Sequence, residues 1–143
     1  MQNKYMQYQT LQRQIGSISE QREAISEKIT QLNQTKSTLD DVKATKEKTK
    51  TWASVGEDVF VESTMENTEK VAVSIGAGVV VQRKIDDAKK ILDKRISKLS
   101  DADKDMKRQV DKMQSQVQAI EQQLSKASEN SQAERQGSDG MAE

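Results

Sequence analysis

Apolar residues recur along this chain at alternating spacings of three and four, in two long runs. Leu11, Ile15, Ile18, Ile25, Ile29, Leu32 and Leu39 form the first, and Leu92, Ile96, Leu99, Met106, Val110, Met113, Val117, Ile120 and Leu124 the second. Such spacing keeps one apolar stripe on one side of a helix and is the pattern of a coiled coil. It predicts a helix over residues 1–50 and another over 84–127. Between them the period falls to two. Val59 and Val61 alternate with Phe60 and Glu62, and Val71, Val73 and Ile75 alternate with Ala72 and Ser74. Val79 to Val81 is a third β-branched stretch, and Trp52 to Val55 a weaker fourth. Gly56-Glu57-Asp58, the segment around Asn67 and Gly76-Ala77-Gly78 supply the turns. Residues 51–83 therefore read as two β-hairpins. The fold class is α+β, mainly α: a long antiparallel two-helix coiled coil with two hairpins between the helices.

The two stripes match when the chain is folded at its centre. With paired positions summing to about 135, Ile15 meets Ile120, Ile18 meets Val117, Ile25 meets Val110, Ile29 meets Met106 and Leu39 meets Ile96, each a position facing a d position. Arg22, Lys36 and Asp103 interrupt the stripes. In this register they face Met113, Leu99 and Leu32, none directly across from an opposite charge. The long side chains are expected to snorkel outward and Asp103 to mark a loose turn, the alternative being that these residues control the register or make the arm flexible.

Composition agrees with a thin structure. Only 33% of residues are hydrophobic and 3% aromatic, against 32% charged, which suits a seam and not a thick globular core. There is no proline to break the helices. Lys plus Arg balance Asp plus Glu at 23 each, so no basic excess points to nucleic acid or to a membrane surface. Residues 1–10 lack the apolar core of a signal peptide, and the longest apolar stretch is far too short to span a bilayer. A cytoplasmic location is the expectation. Residues 128–143 are polar and glycine-bearing and are expected to form a disordered tail.

The chemistry is sparse. With neither Cys nor His, thiolate nucleophiles, the usual zinc sites and histidine acid–base catalysis drop out. The carboxylate pairs Asp40-Asp41 and Asp86-Asp87 are adjacent in sequence and diverge on a helix. Gly76-Ala77-Gly78 lacks the Gly-Lys-Ser/Thr of a phosphate loop. The sequence is read as that of a non-enzyme, with no cofactor and no metal.

The stretch from Lys70 to Leu92, KVAVSIGAGVVVQRKIDDAKKIL, resembles the signature of the prefoldin α subunit: strand, G-A-G turn, strand, then a helix with an alanine a few residues in. Gly76, Ala77, Gly78 and Ala88 match it, and Val59 to Val71 resembles the long connection between the inner strands of that subunit. Where the family often carries a proline and a second glycine in the first hairpin, this chain has Ser54 and Asp58. The resemblance implies an ATP-independent chaperone subunit. It would assemble with a second α subunit and four β-type subunits, hold unfolded client proteins at the coiled-coil tips and deliver them to a group II chaperonin. The alternative is a structural, self-assembling strut or filament-type relative.

Physical reasoning adds candidate residues. An isolated hairpin is marginal in water and its edges seek partners. Val59, Val61, Val71, Val73, Ile75, Gly76, Gly78, Val79 and Val81 are therefore the expected oligomerisation residues. Helix ends fray, and Met1, Tyr5, Met6, Tyr8, Ile120 and Leu124 would offer soft apolar groups to clients there.

Overall fold

The computed structural model describes residues 2–140, with side chains described as far as residue 137. The element order is α1 (Gln2–Ala44), β1 (Thr49–Gly56), β2 (Val59–Met65), β3 (Lys70–Gly76), β4 (Val79–Lys84) and α2 (Ile85–Gly140). Mainly helical, with two antiparallel hairpins between the helices, it has the architecture that the periodicities predict.

The heptad stripe is visible in the burial of every seam side chain from Tyr8 onward. On α1, Tyr8, Leu11, Ile15, Ile18, Arg22, Ile25, Ile29, Leu32, Lys36 and Leu39 are half-buried or buried, and the residues between them are exposed. On α2, Val110 and Val117 are buried, and Met106, Met113, Ile120, Leu124 and Ala127 half-buried at the same spacing. A two-stranded seam can do no more, since each side chain is covered on one side only.

The chain forms two compact units. One joins α1 up to Ser26 with α2 from Asp101 onward; the other is Glu27–Ser100 and holds both hairpins. Within the second unit, Lys43 Nζ lies 3.0 Å from Asp86 Oδ1, Lys89 Nζ 2.6 Å from Asp40 Oδ1, and Lys36 pairs with Asp93. Within the first, Arg22 Nε donates to Asp103 Oδ1 at 2.8 Å.

These pairs overturn the register expected from the stripes. In that register Asp103 stood opposite Leu32, ten residues and about 15 Å along α1 from Arg22, beyond reach of any side chain. The observed pairs require a frame shorter by one heptad. Leu11 then faces Val117 and Ile18 faces Val110 in the first unit; Leu32 faces Ile96 and Lys36 faces Leu92 in the second. A slip of one heptad keeps every a position against a d position, so apolar matching alone cannot distinguish the two frames. Charge pairing can.

Both hairpins have the same construction. Ser54 pairs Phe60 and Gly56 pairs Val59, leaving Val55 as the extra residue of a bulge. Twenty residues later Ser74 pairs Val80, Gly76 pairs Val79, and Ile75 is the extra residue. The shared pattern is Ser, a β-branched residue, Gly, two turn residues and three apolar residues. In hairpin 2 the turn residues Ala77 and Gly78 have φ of 51° and 74°, the left-handed pair that a tight hairpin turn needs. In hairpin 1 Asp58 has φ of 61°. This is a left-handed conformation, which Asp tolerates better than most residues.

Two boundaries differ from expectation. α1 stops at Ala44, not near Lys50, because Thr49 and Lys50 pair with Met65 and Thr64 in the first sheet. Lys48 turns the chain into that strand with φ of 65°, its N–H donating to Met65 O at 2.7 Å. At the other end, residues 128–140 of the segment 128–143, expected to be a disordered tail, continue α2 to Gly140, and residues 141–143 lie outside the described residues. The segment contains Glu129, Gln132, Ala133, Glu134, Arg135 and Gln136, which are compatible with a helix, and no proline. Past Ala127 the described side chains of α2 are all exposed.

Candidate functional site

The first candidate surface is the pair of hairpins. They form two separate two-stranded sheets, so each keeps two unpaired edges. Register sorts their faces. On hairpin 1, Ala53, Val61, Thr51 and Ser63 share one face, and Trp52, Glu62, Ser54 and Phe60 the other. On hairpin 2, Val71, Val73 and Val81 share a half-buried face, and Ala72, Gln82, Ser74 and Val80 point the other way. Of the expected oligomerisation residues, Val59, Val61, Ile75 and Val79 are exposed, while Val71, Val73 and Val81 are half-buried. Gly76 and Gly78 hold the turn with φ of 107° and 74°.

Trp52 and Phe60 are missing from the sequence-based set. They are 68% and 58% exposed on one face of hairpin 1, diagonal to one another across the ladder. They are the chain's single Trp and single Phe. The signal was available: Trp52 has the parity of Ser54, which pairs with Phe60. The equivalent positions of hairpin 2 hold Ala72 and Val80, so the two hairpins differ in bulk on this face.

The second candidate surface lies where the start of α1 meets α2. A groove of about 750 Å³ is lined by Met6, Leu11, Ala119 and Ile120 together with Asn3, Gln7, Thr10, Gln116 and Gln123. A neighbouring depression is lined by Gln2, Tyr5, Met6 and Leu124. The structure thus brings Met6 and Ile120 to one groove, and Tyr5, Met6 and Leu124 to the other. Tyr8 lines neither and is a half-buried seam residue. Met1 lies outside the described residues. The amides were not singled out from sequence, because they sit at non-seam positions in a glutamine-rich stretch and carry no periodic signal.

One ion pair lies in the seam of the first unit. Arg22 hydrogen-bonds Asp103 through Nε at 2.8 Å and Nη2 at 3.5 Å, both side chains about one-third exposed. The bond from Arg22 holds the Asp103 carboxyl below the usual carboxylate range, and the same bond raises the guanidinium. Asp86 is likewise lowered by its bond from Lys43, and Lys89 raised by its bond to Asp40. Among the described residues no group of three or more acidic side chains could hold a metal ion, and no helix is long and apolar enough to cross a membrane.

A coiled coil carrying two bulged hairpins between its helices defines a class, and comparison with known proteins gives its family. The family model described as "Prefoldin subunit" matches residues 11–130. The chain is 37% identical over 75 residues to the prefoldin subunit alpha of Methanopyrus kandleri, covering 52% of this chain and 48% of that protein. It is 30% identical over 97 residues to a probable prefoldin subunit 3 of Caenorhabditis elegans, covering 66% and 51%. The chain spans about half the length of the curated relatives it matches. Among solved structures, a chain of a filamentous PFD from Methanocaldococcus jannaschii superposes with a TM-score of 0.76 at 21% identity, covering 80% of this chain and 95% of that one. The prefoldin beta subunit from Thermococcus strain KS-1 superposes at 0.57 and 17%, covering 88% and 90%, which again concerns the fold. The chain belongs to the prefoldin family and is of the α type.

Proposed function

We propose that this chain is a subunit of a cytoplasmic, ATP-independent holdase. It assembles through its hairpins with a second α subunit and four β-type subunits, grips unfolded proteins at the helix ends and passes them to a group II chaperonin. No step in this role requires a catalytic residue or a cofactor. The observation that carries the reading is the exposed apolar surface of both hairpins, each with two unpaired edges, in a chain of this family. Edge strands of this kind gain most from another subunit's strands. Client contact rests on Tyr5, Met6, Ile120 and Leu124 around the terminal grooves. Adaptable methionine suits many sequences, and several weak sites in one assembly act together.

The test combines assembly and holding. Native mass spectrometry of the chain mixed with a prefoldin β-type subunit is expected to give a hexamer. Removing residues 1–10 together with 125–143 should leave that mass reduced only by the deleted segments, and abolish suppression of client aggregation. Full suppression by the truncated protein would rule out holding at the helix ends. Open-ended polymers in place of a hexamer would favour a filament-forming strut, the reading to which unpaired edges on both hairpins also lend themselves.

A further inference from the structure

A pocket of about 430 Å³ lies at the open end of hairpin 2, where the link between the hairpins meets the start of α2, wholly within the second compact unit. Its polar lining is Lys43, Thr68, Glu69, Lys70, Lys84 and Asp86. The lysines and carboxylates form an exposed rim, and Thr68 is buried beneath them, only 7% exposed. The Thr68 hydroxyl has no hydrogen-bond partner among the described residues, yet it is not sealed from solvent, so it opens into the pocket. The backbone beside it is fixed. Asn67 Oδ1 accepts from the N–H of Glu69 at 2.8 Å and of Lys70 at 3.0 Å, and the N–H of Ile85 donates to Glu69 O at 3.0 Å. A hydroxyl held in a buried place without a partner is costly, and it calls for one from outside the chain.

A second observation points to the charge of that partner. Lys70 and Lys84 stand directly opposite each other across the hairpin ladder, an arrangement of like charges that costs stability. Neither forms an ion pair among the described residues. Lys43, by contrast, is engaged by both oxygens of Asp86, at 3.0 and 3.2 Å. Three lysines against two carboxylates leave the pocket one positive charge in excess. The start of α2 adds the positive end of its dipole. A singly charged anion balances this, whereas a doubly charged one would meet Glu69 and Asp86 uncompensated. A carboxylate has two acceptor oxygens, one for the Thr68 hydroxyl and one for the ammonium groups. The volume leaves room for the carbon chain behind it, within the range of about 300–1,000 Å³ usual for ligand sites.

We propose that this pocket binds one carboxylate group, which accepts a hydrogen bond from Thr68 and pairs with Lys70 and Lys84. The site is independent of holding at the helix ends. Its carboxylate arrives either on a small organic acid or on the glutamate side chain of another polypeptide, and one experiment separates the two.

Backbone amide NMR of the full chain at neutral pH, titrated at constant ionic strength against sodium chloride, is the test. Acetate is expected to shift the amides of Thr68, Lys70 and Lys84 saturably, and phosphate to bind more weakly. Thr68→Val keeps the side-chain shape; it should keep or raise the melting temperature and weaken acetate about fivefold. Lys70→Gln with Lys84→Gln should weaken it about tenfold or more. Glutamate capped as N-acetyl-glutamate methylamide binding as tightly as acetate would assign the site to an acidic side chain of another chain; its exclusion while acetate binds would assign it to a free organic acid. Acetate shifts no larger than those of chloride, tighter binding of phosphate, or unchanged acetate affinity in Thr68→Val would overturn the proposal.

Discussion

Arg22 and Asp103 occupy seam positions where a coiled coil ordinarily keeps apolar side chains, and their contact selects one heptad frame over its neighbour. A polar pair in a seam is a known device for fixing register at some cost in stability. Replacing both residues by Leu is expected to keep or raise the melting temperature while loosening register. The absence of cysteine makes this readable. In the parent, a disulfide should close between Ile18→Cys and Val110→Cys, and not between Ile18→Cys and Val117→Cys; in the double-Leu background both should close. Exclusive closure of the first pair in that background would show that the ion pair does not set the register. The pair also has a pH signature. The Asp103 carboxyl is lowered by its bond from Arg22, so its contribution to stability is fully present above the ordinary carboxylate range and fades as pH falls below about 4. Thermal melts from neutral pH downward should show a smaller acid-induced drop for Asp103→Asn than for the parent. A residual drop remains in that variant because Asp86 is lowered by Lys43 in the same sense. A third residue, Ala77, holds φ of 51°, which costs an L-residue about 1–2 kcal/mol. Ala77→Gly should therefore stabilise the folded chain by about 0.5–1 kcal/mol after the added entropy of the unfolded chain, seen as a higher urea midpoint.

At the scale of elements, the hairpins are near-copies with one difference in bulk. The same Ser, bulge and Gly recur in each, but Trp52 and Phe60 on hairpin 1 correspond to Ala72 and Val80 on hairpin 2. Large aromatic side chains contribute disproportionately to interfaces. Trp52→Ala with Phe60→Ala is expected to lower the assembled fraction, read by native mass spectrometry, with helix content unchanged. Assembly at the parent level would place these two side chains outside any subunit contact. The elements themselves were legible because period is a local property: burial follows the heptad positions residue by residue, and the four strands fall on the alternating segments. Their limits were less legible. Thr49 and Lys50 belong to β1 because β2 lies beside them, a pairing that no local feature of Thr49 announces. Residues 128–140 stay helical because polar helix formers need no buried face to continue a helix already begun.

Taken as a whole molecule, the chain is an α-type member of the prefoldin family, with an uncharged groove in one compact unit and uncovered hairpins in the other. By itself the sequence determined the element order, the stripe that each helix buries, the class of fold and the family, because each is written in spacing, turn residues and a short signature from Lys70 to Leu92. Tertiary structure decided which heptads face each other, which side of each hairpin carries the aromatic pair, and which four amides meet around one groove. The physical reason is periodicity. A heptad repeat is satisfied equally well one heptad to either side, so the choice falls to contacts such as Arg22 with Asp103. Those residues are 81 positions apart in the chain and become neighbours only when it folds.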